Sequence, residues 1–128
     1  MNVLLDTCTF LWILSGSKEL SETAKNIFLD EGNEIYLSAI SSWELSLKYS
    51  IGKIKFPQDP SIYIPKQREK HGILPLDLCE EAALHLTRLQ ELHKDPFDRM
   101  LVCQALVGGF VILTPDVQIS QYPVRILW

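Results

Sequence analysis

The stretch LHKDPFDRML, residues 92–101, sets two aspartates three positions apart where a helical pattern begins. Asp95 suits a helix N-cap, with Pro96 at the first helical position, where its missing N–H costs nothing. Asp98 then lies beside the positive end of the helix dipole. Taken alone, the stretch reads as a helix cap, with a divalent-cation ligand as the competing role for Asp98. The same choice arises at three other acids. Asp6 follows the apolar run NVLL, Glu44 falls in the first turn of the helical pattern after EIYLS, and Asp116 comes three residues after FVIL. Each has a local structural role open to it: Asp6 as the cap of a helix from Thr7, Glu44 in a capping box with Ser41, Asp98 in one with Asp95, and Asp116 at a helix N-terminus after Pro115.

The repetition of one placement tips the balance. Acids at the carboxyl ends of parallel strands, or in the helices that follow them, face one rim of an open α/β sheet, which is where such sheets bind ligands. Carboxylates gathered there repel one another and rise in pKa unless a cation joins them. Oxygen-only ligation points to Mg²⁺ or Mn²⁺ rather than zinc, and no histidine or cysteine is placed by the sequence to help. Cys8 invites a nucleophile reading but has no base near it in sequence, so a small buried thiol is the expectation. Lys48, one turn after Glu44, fits an intrahelical ion pair or a phosphate contact. Trp12, Trp43 and Phe97 sit at core spacings.

The elements that must position these acids alternate along the chain. NVLLD reads as a buried strand feeding the helical TFLWIL, and Ser21 caps a helix over ETAKNIFLDEG. EIYLS is a second strand. It leads into AISSWELSLKYSIG, with Ile40, Trp43, Leu47 and Ile51 as the inward stripe. A loop with Pro57 and Pro60 precedes a helix over residues 61–71, and GILPLD is extended. Residues 78–92 read as one helix with Leu78, Ala82, Leu86 and Leu89 inward. PFDRMLVCQALVGG is helical, FVILT a strand, PDVQISQY a turn or short helix, and VRILW a last strand. This alternation predicts an α/β fold: an open, mostly parallel sheet of four to five strands flanked by helices.

A chain of 128 residues that is 47% hydrophobic is expected to form a single domain, residues 1–128. No window has the apolar length of a membrane span, and the N-terminus lacks the basic segment of a signal peptide, so the expected location is the cytoplasm. Three cysteines without C-x-x-C spacing read as free, mostly buried thiols. The formal charge of −4 argues against a nucleic-acid partner, but its distribution does not. Residues 48–70 hold six of the twelve basic side chains and two of the sixteen acids, which makes this segment a candidate for the phosphate backbone.

In order, LLDTCTFLW, SAISSWELSLKYSIGKI, HKDPFDRMLVCQA and VILTPDVQISQYPVRILW resemble the motifs of PIN-domain proteins, and among them the VapC-type ribonuclease toxins of toxin–antitoxin pairs. The resemblance implies a PIN-like fold and metal-dependent hydrolysis of RNA by an endoribonuclease. Its acidic site falls on Asp6, Glu44, Asp98 and Asp116, with Thr114 as the polar residue before the last acid. Asp6 and Asp98 would ligate Mg²⁺ (or Mn²⁺), Glu44 would ligate a second ion or orient the attacking water, and Asp116 would act in support. Cys8 stands where similar sequences often carry histidine. The resemblance also implies products with a 5′-phosphate and a 3′-hydroxyl, a homodimer, and a cognate antitoxin protein whose tail lies along the active-site groove.

Other classes fit less well. A phosphatase of the haloacid dehalogenase type needs a second aspartate at position 8, which is Cys8, and a response-regulator receiver needs adjacent acids at the first strand. The remaining alternative is a catalytically inactive PIN-fold binding module acting through its partner, its acids serving only as caps.

Overall fold

The structure is a computed structural model and describes residues 1–128. Five strands, β1 (Asn2–Leu5), β2 (Glu34–Ser38), β3 (Leu74–Leu76), β4 (Val111–Leu113) and β5 (Ile126–Leu127), form one sheet in the order β3-β2-β1-β4-β5. Every pairing is parallel, so the open α/β sheet expected from the alternating pattern is present with five strands. Six helices flank it: α1 (Thr7–Ser15), α2 (Glu22–Leu29), α3 (Ala39–Ser50), α4 (Pro60–Lys70), α5 (Glu80–Leu84) and α6 (Pro96–Gly108). Two 3₁₀ turns complete the chain, at His85–Arg88 and Ile119–Gln121.

A parallel sheet covered on both faces needs apolar residues on both. Along β1, Val3 and Leu5 join one core cluster with Phe10, Ile13, Leu37 and Ile64, while Leu4 between them joins the other with Leu101, Val102 and Ile112. Because β1 is central and the chain builds outward from it in both directions, the strand order reverses between β1 and β4. The crevice at the carboxyl ends of those two strands is where such a sheet takes a ligand. Two bonds lock that junction: the Asp6 backbone N–H and the Thr9 hydroxyl both donate to the Leu113 carbonyl, at 3.3 and 2.8 Å. α6 stops at Gly109, whose φ of 73° is the left-handed conformation that a helix C-terminus favours in glycine.

Three expectations need correction. The inward face of α3 is Ile40, Ser41, Glu44 and Leu45; Trp43, Leu47 and Ile51 are exposed, Trp43 by 61%. The apolar stripe misleads because two polar residues, Ser41 and Glu44, occupy the face turned to the sheet. Trp43 instead lays its ring edge-on against Phe97, with centroids 5.2 Å apart. The helix expected over residues 78–92 is the short α5 followed by a 3₁₀ turn, leaving Leu78 exposed. The tighter turn aligns residues three apart, so Leu86 and Leu89 both meet the cluster built on α6. Of the thiols only Cys103 is buried, and Cys79 is exposed.

Leu4 is fully buried in the cluster between the sheet and α6. Leu4→Ala is expected to cost about 2–5 kcal/mol in a urea unfolding series, as deletion of a buried leucine side chain does. A loss under about 1 kcal/mol would show that this layer collapses around the cavity.

Candidate active site

Asp6 begins where β1 ends. Its backbone is extended, and its Oδ1 accepts the Thr7 N–H at 2.7 Å, so it is the N-cap of α1 as the sequence allowed. Its Oδ2 accepts the Thr114 hydroxyl at 2.7 Å, across the β1–β4 boundary, and the Cys8 thiol at 3.4 Å. None of these donors is cationic, and Asp6 is only 5% exposed. Burial is the main reason that its carboxyl is raised above the usual aspartate range, with the charge of Asp116 adding to it. The Cys8 thiol is pushed up to about 12, first by burial and then by the neighbouring Asp6. A thiol in that state is no nucleophile at neutral pH, in line with the packing role expected for it.

Glu44 reaches the same rim from α3. Ser38, rather than Ser41, caps this helix, so Glu44 lies in its second turn and closes no capping box. Its two oxygens are both engaged: Oε1 accepts the Thr7 hydroxyl at 2.8 Å, and Oε2 pairs with Lys48 Nζ at 2.7 Å. The intrahelical ion pair is therefore real, and it holds the ammonium at the cleft. The Glu44 hydrogen bond is the main reason that the Lys48 amine is raised.

Asp95 is the cap of α6, accepting the N–H groups of Phe97 and Asp98 through Oδ1. That frees the Asp98 side chain from capping. Its carboxyl is pushed up to about 7, foremost by burial and then by the charges of Asp6 and Asp95, against a lowering hydrogen bond from His93. Asp116 takes its backbone N–H to the Thr114 hydroxyl at 3.0 Å and accepts the Gln118 N–H at 2.8 Å, which caps the turn that follows.

The expected acids thus meet. A cleft of about 290 Å³ is lined by Asp6, Glu44, Asp98 and Asp116 together with Lys48 and Lys53. A larger cavity, about 490 Å³, lies between α3, α4 and β3 and holds none of the four acids. Size is the weaker guide here, because only the smaller cleft sits at the strand-order reversal and gathers strongly shifted carboxyls. The donor set fits a hard divalent cation: oxygen ligands, partly buried, with no fixed positive charge on Asp6 or Asp116.

Two residues of the site were missed. His93 Nε2 lies 2.9 Å from Asp98 Oδ2, and ligand atoms of His93, Asp98 and Asp116 lie within 4.8 Å of one another. No periodicity or spacing in the sequence marked His93, because its contact with Asp98 depends on the path of the loop before α6. Thr7, which ties α1 to Ser41 and Glu44, also escaped notice.

Residues 3–124 match the family described as PIN domain. The chain belongs to the PIN-domain family. This PIN domain is 34% identical over 59 residues to Ribonuclease VapC16 of Mycobacterium tuberculosis, a match covering 46% of the chain and 42% of that protein, so it spans well under half of the relative's length. Among solved structures, its fold is similar to VapBC2 from Rickettsia felis bound to a promoter DNA fragment. The TM-score is 0.74 at 15% identity, covering 99% of this chain and 98% of that one. It is also similar to DNA-bound VapBC from Salmonella typhimurium, with a TM-score of 0.72 at 19% identity and coverage of 99% and 97%. FitAcB from Neisseria gonorrhoeae follows at 0.61 and 18%, covering 98% and 96%. These likenesses establish a PIN-like fold. No helix of the PIN domain is long and apolar enough to cross a membrane.

The raised carboxyls give a pH signature in metal-free protein. An acid whose folded pKa lies above its unfolded value of 3.8 favours folding when protonated, and that contribution is lost as pH rises through the folded pKa, here about 7 for Asp98. In EDTA the Tm is therefore expected to fall between pH 5 and pH 8, and to fall less in Asp98→Asn. A Tm that rises over that range in both proteins would contradict the assigned burial of these carboxyls.

Proposed function

We propose that this PIN domain is a metal-dependent endoribonuclease toxin of the VapC type, cleaving RNA phosphodiesters with Mg²⁺ or Mn²⁺ held by its acidic cleft. The observation that carries the reading is the convergence of Asp6, Glu44, Asp98 and Asp116, from four separated segments, on the one crevice where this sheet takes ligands. The 59-residue match to a protein named as a ribonuclease supports the chemistry, and the likeness in fold to VapBC structures and to a toxin–antitoxin complex from Klebsiella pneumoniae supports the biological setting.

Asp6 and Asp98 hold the cation, with Asp116 in support. Bound there, it supplies a Lewis acid that makes water a nucleophile near neutral pH and offsets charge on the phosphate. Glu44, clamped between the Thr7 hydroxyl and Lys48, presents a fixed carboxylate that orients the attacking water. Lys48 and Lys53 line the same cleft and attract the RNA backbone that the acids would otherwise repel. Water oxygen would bond to phosphorus as the P–O3′ bond breaks, and the departing O3′ would take up a proton, leaving a 5′-phosphate and a 3′-hydroxyl.

The partners belong to the same reading: a homodimer, and an antitoxin protein whose basic segment occupies the acidic cleft, in the cytoplasm. The exposed Trp43, Leu47 and Ile51 recur on one side of α3 as a contiguous apolar strip, the kind of surface a second protomer covers. A second reading has one observation in its favour. Asp6 and Asp116 each satisfy a local backbone N–H, so a non-catalytic binding module could retain them as caps.

Two experiments separate these. Purified chain free of antitoxin is expected to cut total bacterial RNA with Mg²⁺ and not in EDTA. Asp98→Asn is expected to lose more than the roughly 100-fold that removal of an outer-shell partner costs. Sequenced fragment ends carrying 5′-phosphates would agree, whereas intact RNA with folded, metal-loaded protein favours the binding module. In light scattering, Trp43→Asp is expected to convert a dimer to a monomer; a monomeric unmutated chain would remove the homodimer from the reading.

A further inference from the structure

Two side chains hydrogen-bond a proposed metal ligand from behind the cleft without lining it: Thr114 at Asp6 and His93 at Asp98. Asp98 and Asp116 face the cavity, while the imidazole, 13% exposed, approaches Asp98 Oδ2 at 2.9 Å without joining that lining. The main chain of His93 is also held. The His93 backbone N–H donates to the Tyr122 hydroxyl at 2.9 Å, and Tyr122 is a buried member of the core cluster beneath α6. A chain of contacts therefore runs from core to Tyr122, from Tyr122 to His93, and from His93 to one oxygen of Asp98. Tyr122 directly follows the 3₁₀ turn that comes after Asp116, so the same anchor joins the two segments that carry Asp98 and Asp116.

We propose that His93 is a positioning residue: its Nε2–H fixes the Asp98 carboxylate so that a cation meets it in one orientation. The proposal rests on the metal-site reading above and adds to it the residue that sets how well the site binds. Outer-shell donors of this kind fix ligand orientation, and their loss costs about 10- to 100-fold in metal affinity. Direct ligation by the imidazole is the competing geometry. It would give the site a nitrogen donor and a preference for Mn²⁺ over Mg²⁺.

The test is a titration of thermal stability with Mg²⁺, and separately with Mn²⁺, for the unmutated protein, His93→Ala, His93→Gln and Tyr122→Phe, followed by RNA cleavage at limiting and saturating Mg²⁺. The Gln amide keeps a donor at about the reach of Nε2. We expect His93→Ala to raise the half-saturating Mg²⁺ concentration about 10- to 100-fold. His93→Gln should stay near the unmutated value, and Tyr122→Phe should move the same way as His93→Ala by a smaller factor. Cleavage by His93→Ala should recover at saturating Mg²⁺. An unchanged midpoint in His93→Ala overturns the proposal, as does a marked Mn²⁺ preference of the unmutated protein that His93→Gln abolishes, because that signals direct ligation. If His93→Ala does not fold, the comparison of His93→Gln with Tyr122→Phe decides, and an unmoved midpoint in Tyr122→Phe overturns it. Absence of any metal response in the unmutated protein would instead sink the metal-site reading, and this proposal with it.

Discussion

The interaction on which the rest depends is the burial of the Asp6 carboxylate at the end of the central strand. A carboxylate that is 5% exposed loses most of its hydration, and the chain returns only a backbone N–H, the Thr114 hydroxyl and a weak thiol donor. Those three donors come from both sides of the β1–β4 boundary, so the carboxylate is also the link between the two halves of the sheet. Thr114 illustrates the economy of this arrangement. Its single hydroxyl donates to Asp6 and accepts from the Asp116 N–H, fixing the spacing of two acids with one side chain. The strand-order reversal creates the crevice, and this pair of bonds sets its floor.

Electrostatics around that floor are deliberately unbalanced. Glu44 is paired with Lys48, while Asp6 and Asp116 have no basic side chain and Asp98 has only a histidine. Uncompensated carboxyls in a partly dry cleft respond by taking up protons, which is the direction of the shifts at Asp6 and Asp98. A site in that condition gains from any cation small enough to enter. The chain's net charge, by contrast, says little about the site, because the basic side chains concentrated in residues 48–70 place Lys48 and Lys53 at the lip of an acidic cleft.

Much of this was legible in the sequence, and for a physical reason. The places where the chain turns into a helix at that rim are marked by local features: an apolar run that stops at Asp6 and a Pro after Asp95. Once the sheet is known to be parallel, every junction of that kind falls on one rim. What was illegible depended on distance in the chain. The Thr7–Glu44 bond spans 37 residues and the Thr114–Asp6 bond 108, and no periodicity encodes either. The α3 face failed for a different cause. Hydrophobic periodicity assumes that the apolar side of a helix faces the core, but a helix that delivers Ser41 and Glu44 to a site must turn its polar side inward and leave Trp43, Leu47 and Ile51 outside.

That inversion on α3 links the site to the surface. Rotating the helix to bury Trp43 would withdraw Glu44 from Thr7 and Lys48 from the cleft, since all three helix positions move together at 100° per residue. The exposed strip is therefore the geometrical consequence of placing the glutamate. Local consistency is given up on the helix that lines the cleft. Phe97, at the start of α6, covers part of the Trp43 ring, and the next residue is Asp98. The contact between the two aromatic rings thus braces the two helices that carry Glu44 and Asp98, so the spacing of two of the four acids depends on a pair of side chains outside the core.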